Sequence, residues 1–423
     1  MSKERTVTRR CFLGQAAGTT CALSALWILP QTALGANEAI VRGHIAVGNR
    51  GKDHVPYPGR VAAVCDVDRH QLDKMQQLAS KRGPCEAYAD FRRLLDRKDI
   101  DAVVICPPDH WHALMVVAAC EAGKHVYVEK PLSLTIVEGR KMVEAARKNS
   151  CVVQVGSQQR TDFRFAFAAE LARSGRLGEL QRVEAGLPAV SIRPGADPDS
   201  DPPEWLDYDA WLGPAPFRPY NKRRVHVPWR EWRWCWDYSG GNMTNWGAHH
   251  LDIAQWGMGT DDTGPVEVEG TGEFDPDGRF SVPARYGITY RYASGVTVVA
   301  GTDYRGGTTF IGSEGQVHVT RGKITSDPPG LLEGTLSHGD LDAYQELYRT
   351  KNHFGDWLKC IRTGEKPVAE IEIGHRSATV CHLGNISIRL GRKIGWDPAK
   401  EQIVGDEEAS GMMLRPYREP WVL

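Results

Sequence analysis

Between Ile40 and Gly156 short apolar runs alternate with stretches long enough for helices of ten or more residues, and this alternation restricts the chain more than any other feature. Two strands that pair in parallel need a crossover of a dozen or more residues, which a helix supplies. The runs from Ile40, Arg60–Cys65, Ala102–Cys106, His125–Glu129 and Val152–Gly156 therefore predict an α/β fold with a doubly wound parallel sheet. Helices are expected over Ala113–Ala122 and from Thr135 through Arg147. In such sheets a ligand lies beyond the carboxyl ends of the strands. Pro107, His110, Lys130 and Gly156 all fall at those ends.

The first strand runs into Ile45-Ala46-Val47-Gly48-Asn49-Arg50-Gly51, an approximation to the glycine-rich turn that brings a pyrophosphate onto backbone N–H groups at a helix start. Ala46 replaces the first glycine of the pattern, whereas Gly48 and Gly51 are kept. The second strand ends at Asp66, near the spacing at which a carboxylate grips ribose hydroxyls. Such a carboxylate repels a 2′-phosphate, so NAD is favoured over NADP, with Arg69 nearby as the argument against. A degenerate glycine turn alone is often a mere strand–helix connection; strand, turn and Asp66 together favour binding. The expected cofactor contacts are Gly48, Asn49, Arg50, Gly51, Asp66, Pro107, His110, His112, Glu129 and Lys130.

Lys130 stands in Glu129-Lys130-Pro131 at a strand end, its backbone restrained by the proline that follows. After about residue 160 the pattern changes. Tyr286–Tyr292, Val296–Ala300 and Phe310–Val317 carry β-branched and aromatic residues between glycine turns, as in an antiparallel sheet. Late helices over His353–Thr363 and about His375–Leu390 are expected to pack back on the first domain. The division that results is a leader over 1–35, a nucleotide domain over 36–158 and a substrate and oligomerisation domain over 159–423.

A second polar segment, Ser239 to Asp252, reads as a glycine loop feeding a helix to about Trp256. Asn245 and His249 are four residues apart and share a face, with Asp252 one turn beyond. An imidazole and an amide aimed at the Lys130 crevice make a proton-handling site. Taken together, the glycine turn, the E-K-P run and the helix carrying Asn245, Gly247, His249 and Asp252 resemble the Gfo/Idh/MocA family of oxidoreductases, from Ile40 to the carboxyl end. The ending Arg415-Pro416-Tyr417-Arg418-Glu419-Pro420-Trp421 is similar to that of exported members.

The resemblance implies an N-terminal Rossmann domain, a C-terminal α/β domain with an open, mainly antiparallel sheet, and an NAD(P)-dependent reaction at a sugar or polyol carbon. It makes Lys130 the family's E-K-P lysine and His249 its active-site histidine, the two expected catalytic residues. Asn245 stands where the family has aspartate, and an amide cannot accept a proton. Either His249 carries the proton alone, the substrate differs, or activity is lost. Substrate contacts are expected from Asn245, Trp246, Asp252 and Arg160, with Arg230 and Arg233 available to hydroxyls or an acid group. Most tryptophans between Trp205 and Trp256 read as packing.

Thr8-Arg9-Arg10-Cys11-Phe12-Leu13-Gly14, a weakly apolar stretch to Pro30 and Ala33-Leu34-Gly35-Ala36 form a twin-arginine export pattern, which predicts a periplasmic protein and the export machinery as a partner. The apolar stretch is shorter than the roughly 20 residues that span a bilayer, so no stable insertion is expected after cleavage. A net charge of −1 gives no footprint for nucleic acid. No Cys/His spacing suggests zinc, and free buried thiols are expected. An exported enzyme must hold NAD through turnover, which needs roughly nanomolar affinity, about −12 kcal/mol. The leading reading is an oxidoreductase on a carbohydrate hydroxyl, homo-oligomeric by family analogy. The alternatives are a glycoside-cleaving enzyme that oxidises transiently, eliminates and re-reduces, and a sugar-binding homologue without catalysis.

Overall fold

The computed structural model describes residues 40–57, 59–190, 197–226, 230–278, 280–333 and 352–423. The export pattern over residues 1–35 lies outside them. Six parallel strands form the first sheet: β1 (Val41–Ile45), β2 (Arg60–Cys65), β3 (Glu86–Tyr88), β4 (Ala102–Ile105), β5 (His125–Val128) and β6 (Val153–Val155), in the order β3-β2-β1-β4-β5-β6. Strands β2 and β4 are buried on both faces, which explains why their sequences are near-continuous apolar runs rather than alternating ones, while β1 between them buries Arg42 and His44. Helices His112–Glu121 and Ile136–Lys148 agree with the predicted ones to within a residue. The second begins with a capping box, in which the Thr135 hydroxyl accepts from the Glu138 amide and the Glu138 carboxylate accepts from the Thr135 amide.

The second sheet has nine strands: β7 (Leu180–Gly186), β8 (Glu267–Glu273), β9 (Arg285–Arg291), β10 (Thr297–Gly301), β11 (Gly307–Gly312), β12 (Gln316–Thr320), β13 (Lys323–Asp327), β14 (Ile394–Asp397) and β15 (Gln402–Val404). Their order is β13-β12-β11-β7-β10-β9-β8-β14-β15. All pairs are antiparallel except β7 with β10. Along β9 the residues alternate between buried Tyr286, Ile288 and Tyr290 and exposed Arg285, Gly287 and Arg291, the period-two pattern of a sheet with one covered face. Helices Phe163–Arg173, Gly247–Met258 and Ile371–Leu390 supply the covering layer, with Phe165, Leu251 and Leu383 in the shared core.

The helix predicted from His375 begins earlier, at Ile371, capped by the Glu370 carboxylate on the Glu372 amide. It is buried nearly all round because it lies between the two halves: Ile371 and Ala378 join the core of the first sheet, Val380 to Ile388 that of the second. Helix His353–Thr363 does pack back, placing Phe354 and Trp357 against Ile40, Val104 and Tyr127. The eight cysteines among the described residues are all free, and seven of them are buried.

Candidate active site

A cavity of about 980 Å³ lies across the carboxyl ends of the first sheet and is closed by elements of the second half. This is at the upper end of the roughly 300–1,000 Å³ common for ligand sites. One end of it is built by the turn after β1. Ala46 adopts φ +61°, the left-handed conformation a glycine would take there, and its amide donates to the Cys65 carbonyl at 2.8 Å. Gly51 does not face the cavity. A Cβ at Gly51 would lie 2.0 Å from the Ala46 carbonyl oxygen, so only glycine lets the turn close on the helix start. Gly48, Asn49 and Arg50 line the cavity.

Asp66, at the end of β2, accepts from the amides of Val47 at 2.8 Å and Asp68 at 2.9 Å, bracing the turn. Burial pushes its carboxyl up to about 6 against the pull of those amides. The open turn, its glycine cradle and a carboxyl at the second strand end fit a dinucleotide. Arg69 does not line the cavity, which removes the main argument for a 2′-phosphate.

The middle of the cavity is organised by Glu129. Its Oε1 takes the Arg50 guanidinium at 3.1 Å, the His54 ring at 3.0 Å and the Gln158 amide at 3.3 Å. Burial acts to raise the Glu129 carboxyl, yet His54, Arg50 and Lys130 hold it down at about 2. Gly156 is required beside it, because a Cβ there would meet the carboxylate at 2.9 Å. Pro107 lines the cavity as expected. His110 and His112 do not: their rings are committed to backbone carbonyls. His110 Nε2 lies 3.1 Å from the Trp211 oxygen, while His112 reaches Pro131 at 2.7 Å and Pro107 at 3.1 Å. They pin the loops rather than touch a ligand.

At the far end Lys130, Asn245, Trp246 and His249 come together on the cavity wall. The Lys130 ammonium donates to Oδ1 of Asn245 at 2.8 Å and to its backbone carbonyl at 2.9 Å. Burial lowers the Lys130 pKa to about 8. His249 sits edge-on to Trp246, 5.9 Å between ring centroids, with no partner on Nδ1. Burial and then the charges of Lys130 and Arg321 hold its imidazole well below the ordinary histidine value, so the ring is neutral. His250 stacks on Trp246 away from the cavity.

Arg160 and Asp252 do not line the cavity: each is 1% exposed, and they form a buried pair with each other. Arg160 also binds Asp261 at 2.7 Å, and Asp252 accepts from the Ser377 hydroxyl at 2.7 Å. Asp252 is three residues past His249, only about 60° round the helix, but its carboxylate is taken by Arg160 and Ser377 and does not line the cavity. Cavity residues that the sequence did not single out include Asp109, bonded by Ser239 at 2.7 Å, Arg321 from the β12–β13 turn and Trp421. Asp109 is legible in hindsight as a strand-end neighbour of Pro107; Arg321 has no local signal.

Trp421 closes the nucleotide end, standing edge-on to Trp111 at 4.7 Å and under the Arg92 guanidinium. Its strand of chain is tied down by the Tyr417 hydroxyl on Glu138 at 2.6 Å and by Arg418 on Asp209 and the Gly213 carbonyl. Among the described residues no cluster of three or more His, Cys, Asp or Glu is placed to hold a metal, and no helix is long and apolar enough to cross a membrane.

A parallel sheet with a dinucleotide turn, joined to an open sheet whose covering helix brings His249 to the strand-end Lys130, is the architecture of a two-domain nicotinamide-dependent oxidoreductase. The chain belongs to the Gfo/Idh/MocA oxidoreductase family. Residues 34–157 match its NAD-binding Rossmann fold and residues 196–423 its C-terminal alpha/beta domain. Over 157 residues it is 35% identical to a glycosyl hydrolase family 109 protein of Shewanella pealeana, covering 34% of each chain. It is 32% identical over 117 residues to a myo-inositol 2-dehydrogenase of Thermotoga maritima, covering 28% of this chain and 34% of that one. The chain thus spans about a third of the length of the curated relatives it matches. The fold is shared with the aldose–aldose oxidoreductase of Caulobacter crescentus complexed with glycerol, at TM-score 0.61 and 18% identity over 84% of this chain and 99% of that one.

Proposed function

We propose that this chain oxidises a hydroxyl of a sugar or polyol with a tightly held NAD, Lys130 and His249 being its catalytic residues. One observation carries the reading: a single cavity runs from the Gly48–Arg50 turn to the Lys130–Asn245–His249 cluster. Bound NAD supplies the acceptor for the carbinol hydride. Gly48, Asn49 and Arg50 are placed to hold its phosphates and Asp66 its ribose.

The chain's own residues handle the proton. His249, neutral and on the cavity wall, accepts it from the substrate hydroxyl. Lys130, whose ammonium is anchored by Asn245, orients the same oxygen with its remaining donor. Asn245 therefore serves Lys130 first, and the absent carboxylate is not needed as base. Trp246, Trp232, Trp211 and Trp421 contribute apolar wall to the cavity beside the ring.

The reading includes export by the twin-arginine route and self-association through the open face of the second sheet. Export is what demands a retained cofactor. The test is to purify the protein without added nucleotide, denature it and assay the supernatant for NAD. Stoichiometric NAD, reduced on the enzyme by a sugar, supports the reading; a nucleotide-free protein unable to rebind NAD rejects it. The similarity to a glycosyl hydrolase covers 34% of this chain and does not decide the bond attacked. Cleavage of an aryl glycoside with no net NADH would move the chain to that reaction.

A further inference from the structure

The cavity is polarised along its length. Its nucleotide end carries Asp66, Asp68, Asp90, Asp207 and Asp209, which cap backbone amides or pair with Arg92 and Arg418. The opposite end is cationic. Arg230 and Arg233, from one short segment, and Arg321, from the β12–β13 turn, line it from the second half of the chain. Arg233 and Arg321 are close enough to depress the Lys130 ammonium, and Arg230 to depress Arg233. The anions on that wall are already engaged or weak counterweights. Glu129 is held by Arg50 and His54, and Asp109 accepts from Ser239 with its carboxyl pushed up by burial.

None of Arg230, Arg233 and Arg321 forms an ion pair with a carboxylate of the described residues; Arg230 and Arg233 are half-buried and Arg321 is exposed at the cavity mouth. Two of them are held on aromatic faces instead: Arg233 over Trp232 at 4.3 Å and Arg321 over Trp246 at 4.9 Å. That fixes the guanidinium planes and leaves their N–H edges free for a ligand. Arg230 holds a left-handed backbone, φ +50° and ψ +46°, a strained arrangement for a non-glycine residue that clusters at ligand sites. Burial drags the Arg233 pKa down to about 10, with Arg230 pushing the same way and Asp109 opposing both.

We infer that Arg230, Arg233 and Arg321 form a subsite for an anionic group, a carboxylate or phosphate carried by the sugar itself, so that the substrate is an acid sugar rather than a neutral one. Planar guanidiniums match such groups through paired N–H···O bonds, and a low-dielectric wall strengthens each of them. The inference deepens the function proposed above and takes its redox step from it, but its test needs no turnover.

Calorimetric titration of the purified holoprotein with D-glucuronate, D-glucose 6-phosphate and D-glucose is the experiment. At least one of the two anions is expected to bind tenfold or more tightly than glucose, with an affinity that falls as salt rises. Arg233→Gln and Arg230→Gln should each reduce that preference at least tenfold while retaining bound NAD, and Arg233→Lys should restore part of it. Thermal melts confirm that the variants fold. Equal binding of acid and neutral sugars, binding of neither anion, or a preference that survives both variants would overturn the inference. Loss of NAD from Arg233→Gln would also overturn it, by assigning the arginines to the cofactor's own phosphates. Failure of NAD reduction with intact anion binding would sink the function proposed above and leave this subsite standing.

Discussion

The Lys130 ammonium is held between two oxygens of one residue, Oδ1 and the backbone carbonyl of Asn245, at 2.8 and 2.9 Å. The contact crosses from the first sheet to the helix layer of the second, so the two halves of the chain meet at the reacting end. Both oxygens are neutral, and burial therefore leaves Lys130 at about 8. Asn245→Asp would place a carboxylate against that ammonium and raise its pKa by about 1 or more. If the charged lysine is the active form, the alkaline limb of kcat/KM moves upward by the same amount. A pH profile of the variant beside the parent decides it.

His249→Gln keeps the size of the ring and removes the proton acceptor. A fall of roughly 10²–10⁴ in kcat is expected, with bound NAD unaffected. In the parent protein the imidazole is held well below 6.5, so the acidic limb of kcat/KM should lie below the ordinary histidine range. Single-turnover rates across pH 5 to about 8 test both expectations.

Arg160 and Asp252 contribute to stability and not to substrate affinity. Arg160→Met strands the Asp252 carboxyl in the core and should cost about 3–5 kcal/mol in urea denaturation. The folded fraction should keep its KM. A raised KM with unchanged stability would return Arg160 to the substrate.

Asp66 links nucleotide binding to pH. Its folded value of about 6 lies above the unfolded carboxyl value, so its stabilising contribution is present below the unfolded value and lost as pH rises through about 6. Ribose hydroxyls donate to the ionised form and offset that loss. The rise in melting temperature on adding NAD to the stripped protein should therefore be larger at pH 7.5 than at pH 5, and Asp66→Asn should flatten the difference.

The first sheet was legible because buried parallel strands are written as unbroken apolar runs, and because Gly48, Asp66 and Lys130 each follow such a run directly. Asn245, Trp246 and His249 were found together because one short stretch presents them together. Arg160 and Asp252 misled because position at a strand end or on a helix face does not say whether a charge turns to the cleft or to the core. His110 and His112 misled in the same way: their rings satisfy carbonyls that only the folded chain brings near. Arg321 was invisible, since a hairpin turn has no pattern pointing to a cleft formed by residues far from it in sequence.

Trp421 lines the same groove as Gly48 and Asp66, although it is far from both in the sequence. Its segment holds to the nucleotide domain through Glu138 and to the second half through Asp209 and Gly213. The wall of the nucleotide end is therefore assembled only when both halves have docked, so a substitution that loosens the Tyr417 or Arg418 anchor reaches that end without touching it.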